Sequence, residues 1–214
     1  MAVAYAYDGV MYLAVTRRCT LHCVFCPKTH GIWTVAGNDL SKDAEPDVAT
    51  LVAAADAAGL VPGQAVAFVG LGEPTMRLDV VEAVGRLLRA RGHWVRLVTD
   101  GLANLRAGQD VTPRLAGAVD EVNVSLNAHN GEVYARVCPN PHGAAAHAQV
   151  CAFIGQLKAH VPKVVATVVA VEGVDVPACQ ALAASLGVAL RVRPYFDPRT
   201  EAPHDHGTHL RTVP

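Results

Sequence analysis

Six strand-like runs recur along the chain, and after the second of them helical runs fill the intervals. The strand-like runs are VMYLAVT, AVAFVG, HWVRLVT, EVNVSLN, KVVATVVAV and VALRVRPY. Between them lie LDVVEAVGRLLRARG, TPRLAGAV, HGAAAHAQVCAFIGQLKAH and VPACQALAASLG, while the stretch before AVAFVG reads as irregular. Such alternation predicts a parallel sheet joined by right-handed crossovers. The opening AYAYDGVMYL adds a short hairpin, with Asp8-Gly9 suited to its tight turn. No internal repeat is visible. At 214 residues the chain has room for one sizeable domain, here 1–196, followed by a flexible polar tail over 197–214.

Two architectures accommodate six such units, a doubly wound open sheet or a curved sheet forming most of a barrel. The fourth strand discriminates between them. In EVNVSLNA, Val122, Val124 and Leu126 share one face, and Asn123, Ser125 and Asn127 share the other. A polar line fits a ligand-holding lumen better than it fits burial under a second layer of helices. In either fold, ligands bind beyond the carboxyl ends of the strands. CTLHCVFC, GLGEP, TDG and SLNA all follow strands and therefore share that rim.

Composition narrows the class. Half the residues are hydrophobic (51%) against 17% charged, enough for a filled core, and the formal charge of -1 provides no global attraction to nucleic acid or anionic membrane. No segment reaches the roughly 18 apolar residues of a membrane span, and the start lacks a secretion signal, so the expected location is cytoplasmic. The six cysteines are then expected to be reduced.

Cys19, Cys23 and Cys26 lie within eight residues of one another. Three thiolates fit a four-iron cluster with one iron left for another ligand. They also fit a closed zinc site, with His30 or His22 supplying a fourth ligand and the protein acting as a non-enzymatic binding module.

The spacing Cys19-x3-Cys23-x2-Cys26, with Phe25 before the last cysteine, resembles the signature of the radical S-adenosylmethionine (radical SAM) superfamily. GLGEP resembles that family's GGEP motif, TDG a frequent TNG, and SLNA a strand end that contacts ribose. GLGEPTMRLDV, TDGLANL with DVTPRLAG, SLNAHNGEVYARVCPN and VEGVDVPAC are more narrowly similar to small radical SAM proteins associated with TatD-family nucleases.

The resemblance implies a partial (β/α)6 barrel. It implies a [4Fe-4S] cluster on Cys19, Cys23 and Cys26, whose open iron is chelated by S-adenosylmethionine (SAM). Reductive cleavage of SAM would yield methionine and a 5′-deoxyadenosyl radical, which abstracts hydrogen from a substrate in oxidoreductase- or lyase-like chemistry. Gly72, Glu73 and Pro74 would form the wall beside the SAM amino group, with Thr99 and Asp100 at the neighbouring strand end. Ser125 and Asn127 would meet the ribose, the Phe25 main chain the adenine, and Arg136 the methionyl carboxylate. The implied partners are a one-electron donor such as flavodoxin or ferredoxin, a substrate that an open barrel allows to be a macromolecule, and a TatD-family nuclease by association. Within the same chemistry, the alternative is a glycyl-radical-type activase of a partner protein.

Several residues stay open on sequence alone. Cys138 reads as a small buried hydrophobe at a helix end. Arg191 and Arg193 share one strand face, either the lumen or a solvated edge. His204, His206 and His209 lie in the polar tail.

Overall fold

The computed structural model describes residues 2–41, 45–195 and 197. The first two strands, β1 (Ala4–Tyr7) and β2 (Val10–Leu13), form the expected hairpin. Asp8 and Gly9 both have positive φ, 46° and 77°, as a two-residue turn matching strand twist requires. A small second hairpin, β3 (Thr34–Val35) and β4 (Asn38–Asp39), occupies the stretch read as irregular.

The same stretch also holds a helix that the sequence reading missed, α1 (Val48–Ala57). Asp47 caps it by accepting from the Thr50 N–H at 2.8 Å. The units that follow are β5 (Ala65–Phe68), α2 (Leu78–Ala90), β6 (Val95–Thr99), a short α3 (Ala103–Ala107), and β7 (Glu121–Ser125). After these come α4 (Gly131–Val137), α5 (Ala145–Leu157), β8 (Lys163–Ala170), α6 (Val176–Ser185) and β9 (Ala189–Pro194). TPRLAGAV, expected to be helical, supplies only a single 3-10 turn over Thr112–Leu115. Pro113 starts that turn, and Gly117, at φ 71°, reverses the chain soon after it.

The strand order is β1-β2-β5-β6-β7-β8-β9, with β1 antiparallel and the six others parallel in chain order. A doubly wound sheet reverses direction midway, and this one never does. Sequential right-handed crossovers put every helix on the same side. Leu51 of α1, Val84 of α2, Ile154 of α5 and Ala183 of α6 accordingly share one apolar cluster with Leu13, Phe68, Leu97 and Val122. Such a sheet curves into a partial barrel with β1 and β9 as its edges.

Register identifies the concave face. Tyr12, Ala67, Arg96, Glu121 and Lys163 are successive partners along one row. Asn123, Val165 and Ala189 form the next row, Ser125, Thr167 and Arg191 the one after, and Val169 pairs with Arg193 nearest the rim. The polar line of the fourth strand thus lies in the lumen, as do Arg191 and Arg193. Under β1, β2 and β5 the lumen is apolar, with Trp33, Val35 and Leu40 packed against Tyr5, Tyr12 and Ala67. Arg17 stacks over Trp33 at 3.8 Å and closes that end.

Toward the other edge the lumen is charged. Glu121, fully buried, takes both ends of the Arg96 fork at 2.9 and 3.3 Å, with Lys163 at 3.3 Å and Arg191 at 3.6 Å. Asn123, its amide turned to satisfy both neighbours, donates to Glu121 (2.9 Å) and accepts from Arg191 (3.2 Å). No described helix is long and apolar enough to cross a membrane. The three tail histidines and residues 198–214 lie outside the described residues.

Candidate active site at the carboxyl rim

The cysteine loop leaves the end of β2 and is pinned from two sides. His22 N–H donates to the Pro139 carbonyl (2.9 Å) and Val24 N–H to Val137 (3.0 Å), so the loop pairs with the segment leaving α4. On the other side Lys28 donates to the Arg17 carbonyl at 2.8 Å. Cys19 and Cys23 pack against the main core together with Phe25.

Burial, together with the Glu73 and Asp100 carboxylates, pushes the Cys19 thiol up to about 12 against the pull of the Leu21 N–H. Cys26 is raised by burial, and Cys23 first by a hydrogen bond shared with Cys138 and then by burial. Three half-buried free thiols of this kind take metal by exchanging their protons for it.

Glu73 is the hub of the neighbouring wall. It is buried, and its Oε1 accepts from Thr75 N–H (2.9 Å), Thr75 hydroxyl (2.6 Å) and Thr99 hydroxyl (2.7 Å). Among the described residues its Oε2 accepts only from Asp100 N–H, at 2.7 Å. Burial and the nearby Asp100 push Glu73 up to about 7, opposed by Arg106 and these donors. Gly72 lies against the segment just past β2: a Cβ there would stand 2.1 Å from the Thr16 carbonyl oxygen. Its close approach is to this chain's own backbone, and Glu73 N–H then reaches the Arg18 carbonyl at 2.8 Å.

Arg106, which the sequence reading did not single out, explains the aspartate in TDG. Its guanidinium grips Asp100 with two bonds, 2.7 and 3.0 Å, and donates to the Thr75 hydroxyl at 2.7 Å. An asparagine would forgo that charge-assisted fork. The available signal was the spacing of Asp100 and Arg106, which the short α3 folds together.

At the end of β7, Asn127 adopts φ 55°, a left-handed conformation that asparagine tolerates. Its amide donates to Cys138 Sγ at 3.3 Å, and its Oδ1 is buried without a partner among the described residues. The Tyr134 hydroxyl and Arg193 Nε are likewise buried and unsatisfied. Ser125 is half-buried on the concave face. Arg136 is exposed on α4 and donates to the Gly173 carbonyl at 3.3 Å. Cys138 is fully buried.

The zinc arrangement is not assembled. The half-buried His30 ring bonds the Val24 carbonyl at 2.7 Å, and among the described residues no three His, Cys, Asp or Glu side chains converge on a single ion. One tetrahedral zinc would hold its thiolates within about 4 Å of each other. A four-iron cluster puts each cysteine on a different iron and accepts a wider triangle. His30→Ala is therefore expected to leave iron content unchanged when measured per chain after anaerobic reconstitution; loss of metal would restore the zinc arrangement.

The Radical SAM superfamily model matches residues 13–178, more than half of the chain. The chain belongs to the radical SAM superfamily. It is also similar to the GTP 3',8-cyclase of Lactiplantibacillus plantarum (strain ATCC BAA-793 / NCIMB 8826 / WCFS1). That relative is 30% identical over 127 residues, covering 58% of this chain and 35% of the cyclase, so the match spans about a third of its length. Among solved structures the chain resembles native anSMEcpe with bound AdoMet, with a TM-score of 0.64 at 16% identity over 89% of this chain and 53% of that one. The same protein with AdoMet and the Cp18Cys peptide gives 0.65 at 16%, over 89% and 52%. At that identity the likeness establishes the fold.

Members of the radical SAM superfamily use a [4Fe-4S] cluster and SAM. The rim fits both. It presents three thiols on one loop, a carboxylate oxygen with spare accepting capacity, and unpartnered buried polar atoms on Asn127, Tyr134 and Arg193.

Proposed function

We propose that the rim generates a 5′-deoxyadenosyl radical and directs it at a hydrogen of a large substrate entering between the edges β1 and β9. The observation that carries this reading is the sequential, open strand order, which brings the cysteine loop and the Glu73–Asp100 wall to one rim and leaves β1 and β9 as the edges of the sheet. When bound, the cluster and SAM supply one-electron cleavage of the sulfonium C–S bond.

The chain's own residues do the holding. Cys19, Cys23 and Cys26 ligate three irons. The Gly72–Glu73–Pro74 segment turns Glu73 Oε2 toward the SAM ammonium, while Thr99, Asp100 and Arg106 keep that carboxylate from swinging. Ser125 and Asn127 accept from the ribose hydroxyls, with Asn127 Oδ1 gaining the partner it lacks. The Phe25 main chain meets the adenine edge. Arg136 would reach the methionyl carboxylate only by releasing the Gly173 carbonyl.

The electron comes from a flavodoxin- or ferredoxin-type donor. The motifs around Glu73, Asp100 and Asn127 support a place among the small TatD-nuclease-associated members, and the relatives' nucleotide and peptide ligands belong to much longer chains. The test is 5′-deoxyadenosine formation under dithionite with SAM and no oxygen. Wild type is expected to form it, and Cys23→Ala to fall to the level of buffer alone. Equal product from both proteins would defeat the reading, as would a fully loaded wild type that forms none.

A further inference from the structure

Arg193 is a half-buried cation to which the proposed chemistry gives no role. Its pairing with Val169 places it on the concave face, one row nearer the rim than Arg191. Arg191 has a carboxylate at 3.6 Å in Glu121, whereas Arg193 Nε is buried with no hydrogen-bond partner among the described residues. From that row it lies toward the rim that carries the cysteine loop; burial weighs most against its charge, the Cys23, Cys138 and Cys26 thiols favour it, and Arg191 opposes it. Cys23 and Cys138 form one neighbourhood, since the Cys138 thiol acts directly on Cys23 and accepts from Asn127 at 3.3 Å.

A guanidinium is always charged, and one whose Nε is buried without an acceptor calls for an anion beside it. Three thiolates around a four-iron cluster carry net negative charge, which increases when the cluster takes up an electron. We propose that Arg193 is the counter-charge of the cluster, favouring its reduced form and so raising its reduction potential. Arg193 acts on the cluster through charge and does not ligate it. This inference rests on the three cysteines holding that cluster.

The experiment is an EPR-monitored redox titration of the full chain, reconstituted anaerobically, without SAM, using dithionite as the source of the single electron. At fixed poise Arg193→Gln is expected to lower the reduced-to-oxidised ratio about tenfold, equivalent to about 59 mV for a one-electron couple. Arg193→Lys, which keeps the charge, is expected to recover most of that change. Arg191→Gln, which removes a charge already matched by Glu121, is expected to shift the ratio much less. Iron per chain and thermal melting are read on every variant. An unchanged ratio in Arg193→Gln at wild-type iron content would overturn the inference alone, whatever happens to the melting temperature. An equal shift from Arg191→Gln would also overturn it, because the effect would then be a general loss of positive charge. If Arg193→Gln fails to fold, Arg193→Lys decides: a potential near wild type supports the inference, and a drop as large as tenfold overturns it. A wild type that takes up no cluster overturns both this inference and the reading beneath it.

Discussion

Gly72→Ala is expected to cost about 3 kcal/mol or more of folding stability, at the upper end of what overpacking a close contact costs. The added methyl would meet the Thr16 carbonyl oxygen at 2.1 Å, its carbon at 2.7 Å and the Arg17 carbonyl carbon at 2.9 Å. All three are backbone atoms, so no side chain can rotate aside. Relief requires the Thr16–Arg17 segment just past β2 to move, and that segment feeds directly into Cys19. Iron loading should therefore fall along with stability. Gly155→Ala is the matching control. It lies inside α5, and a Cβ there would meet nothing within 4 Å, so a gain of about 0.5–1 kcal/mol is expected from helix propensity. Urea unfolding of the two variants beside wild type would show opposite signs. A Gly72→Ala protein as stable as wild type would mean that this segment yields easily and does not position the cysteine loop.

The second large effect is expected in the lumen. Glu121 is 0% exposed and Arg96 1%, with Lys163 and Arg191 around the same carboxylate. Glu121→Gln keeps the shape and removes the charge, leaving several cations without their shared anion. Breaking a buried pair from one side costs about 3–5 kcal/mol. For a domain of this size that amounts to a melting temperature lower by about 6–20 °C. Calorimetry would measure it, and a fall under about 2 °C would show that water already reaches this pair. Lys163→Gln removes only a half-exposed partner and is expected to cost under about 1 kcal/mol.

The parallel strands were legible because each is a compact apolar run bounded by turn residues, and their sequential order follows from helices crossing to one side. The polar face of EVNVSLNA pointed to a barrel because an amide such as Asn123 needs polar partners when buried, and Glu121 and Arg191 provide them. The rim motifs were legible for a similar reason, since cysteine, glycine and proline are placed by chemistry or backbone geometry more than by propensity.

What escaped was of two kinds. Helix α1 sits in an alanine-rich run whose apolar residues lack a sharp stripe, so its Asp47 cap is the clearest local sign of it. TPRLAGAV had helical composition, but Pro113 and Gly117 limit it to one turn. Long-range pairings form the second kind. Nothing local indicates that Cys138 meets Cys23, or that Arg193 on the last strand lies on the same rim as the cysteine loop. Those relations exist only after the sheet has curved.

The central claim is that three cysteines hold a four-iron cluster whose remaining iron is left for SAM. Mössbauer spectroscopy on protein reconstituted with iron-57, recorded before and after SAM addition, tests it most directly. The account predicts four irons per chain, one of which changes its isomer shift when SAM binds while the other three do not. Four irons that all ignore SAM, or a chain that takes up one zinc in their place, would contradict it.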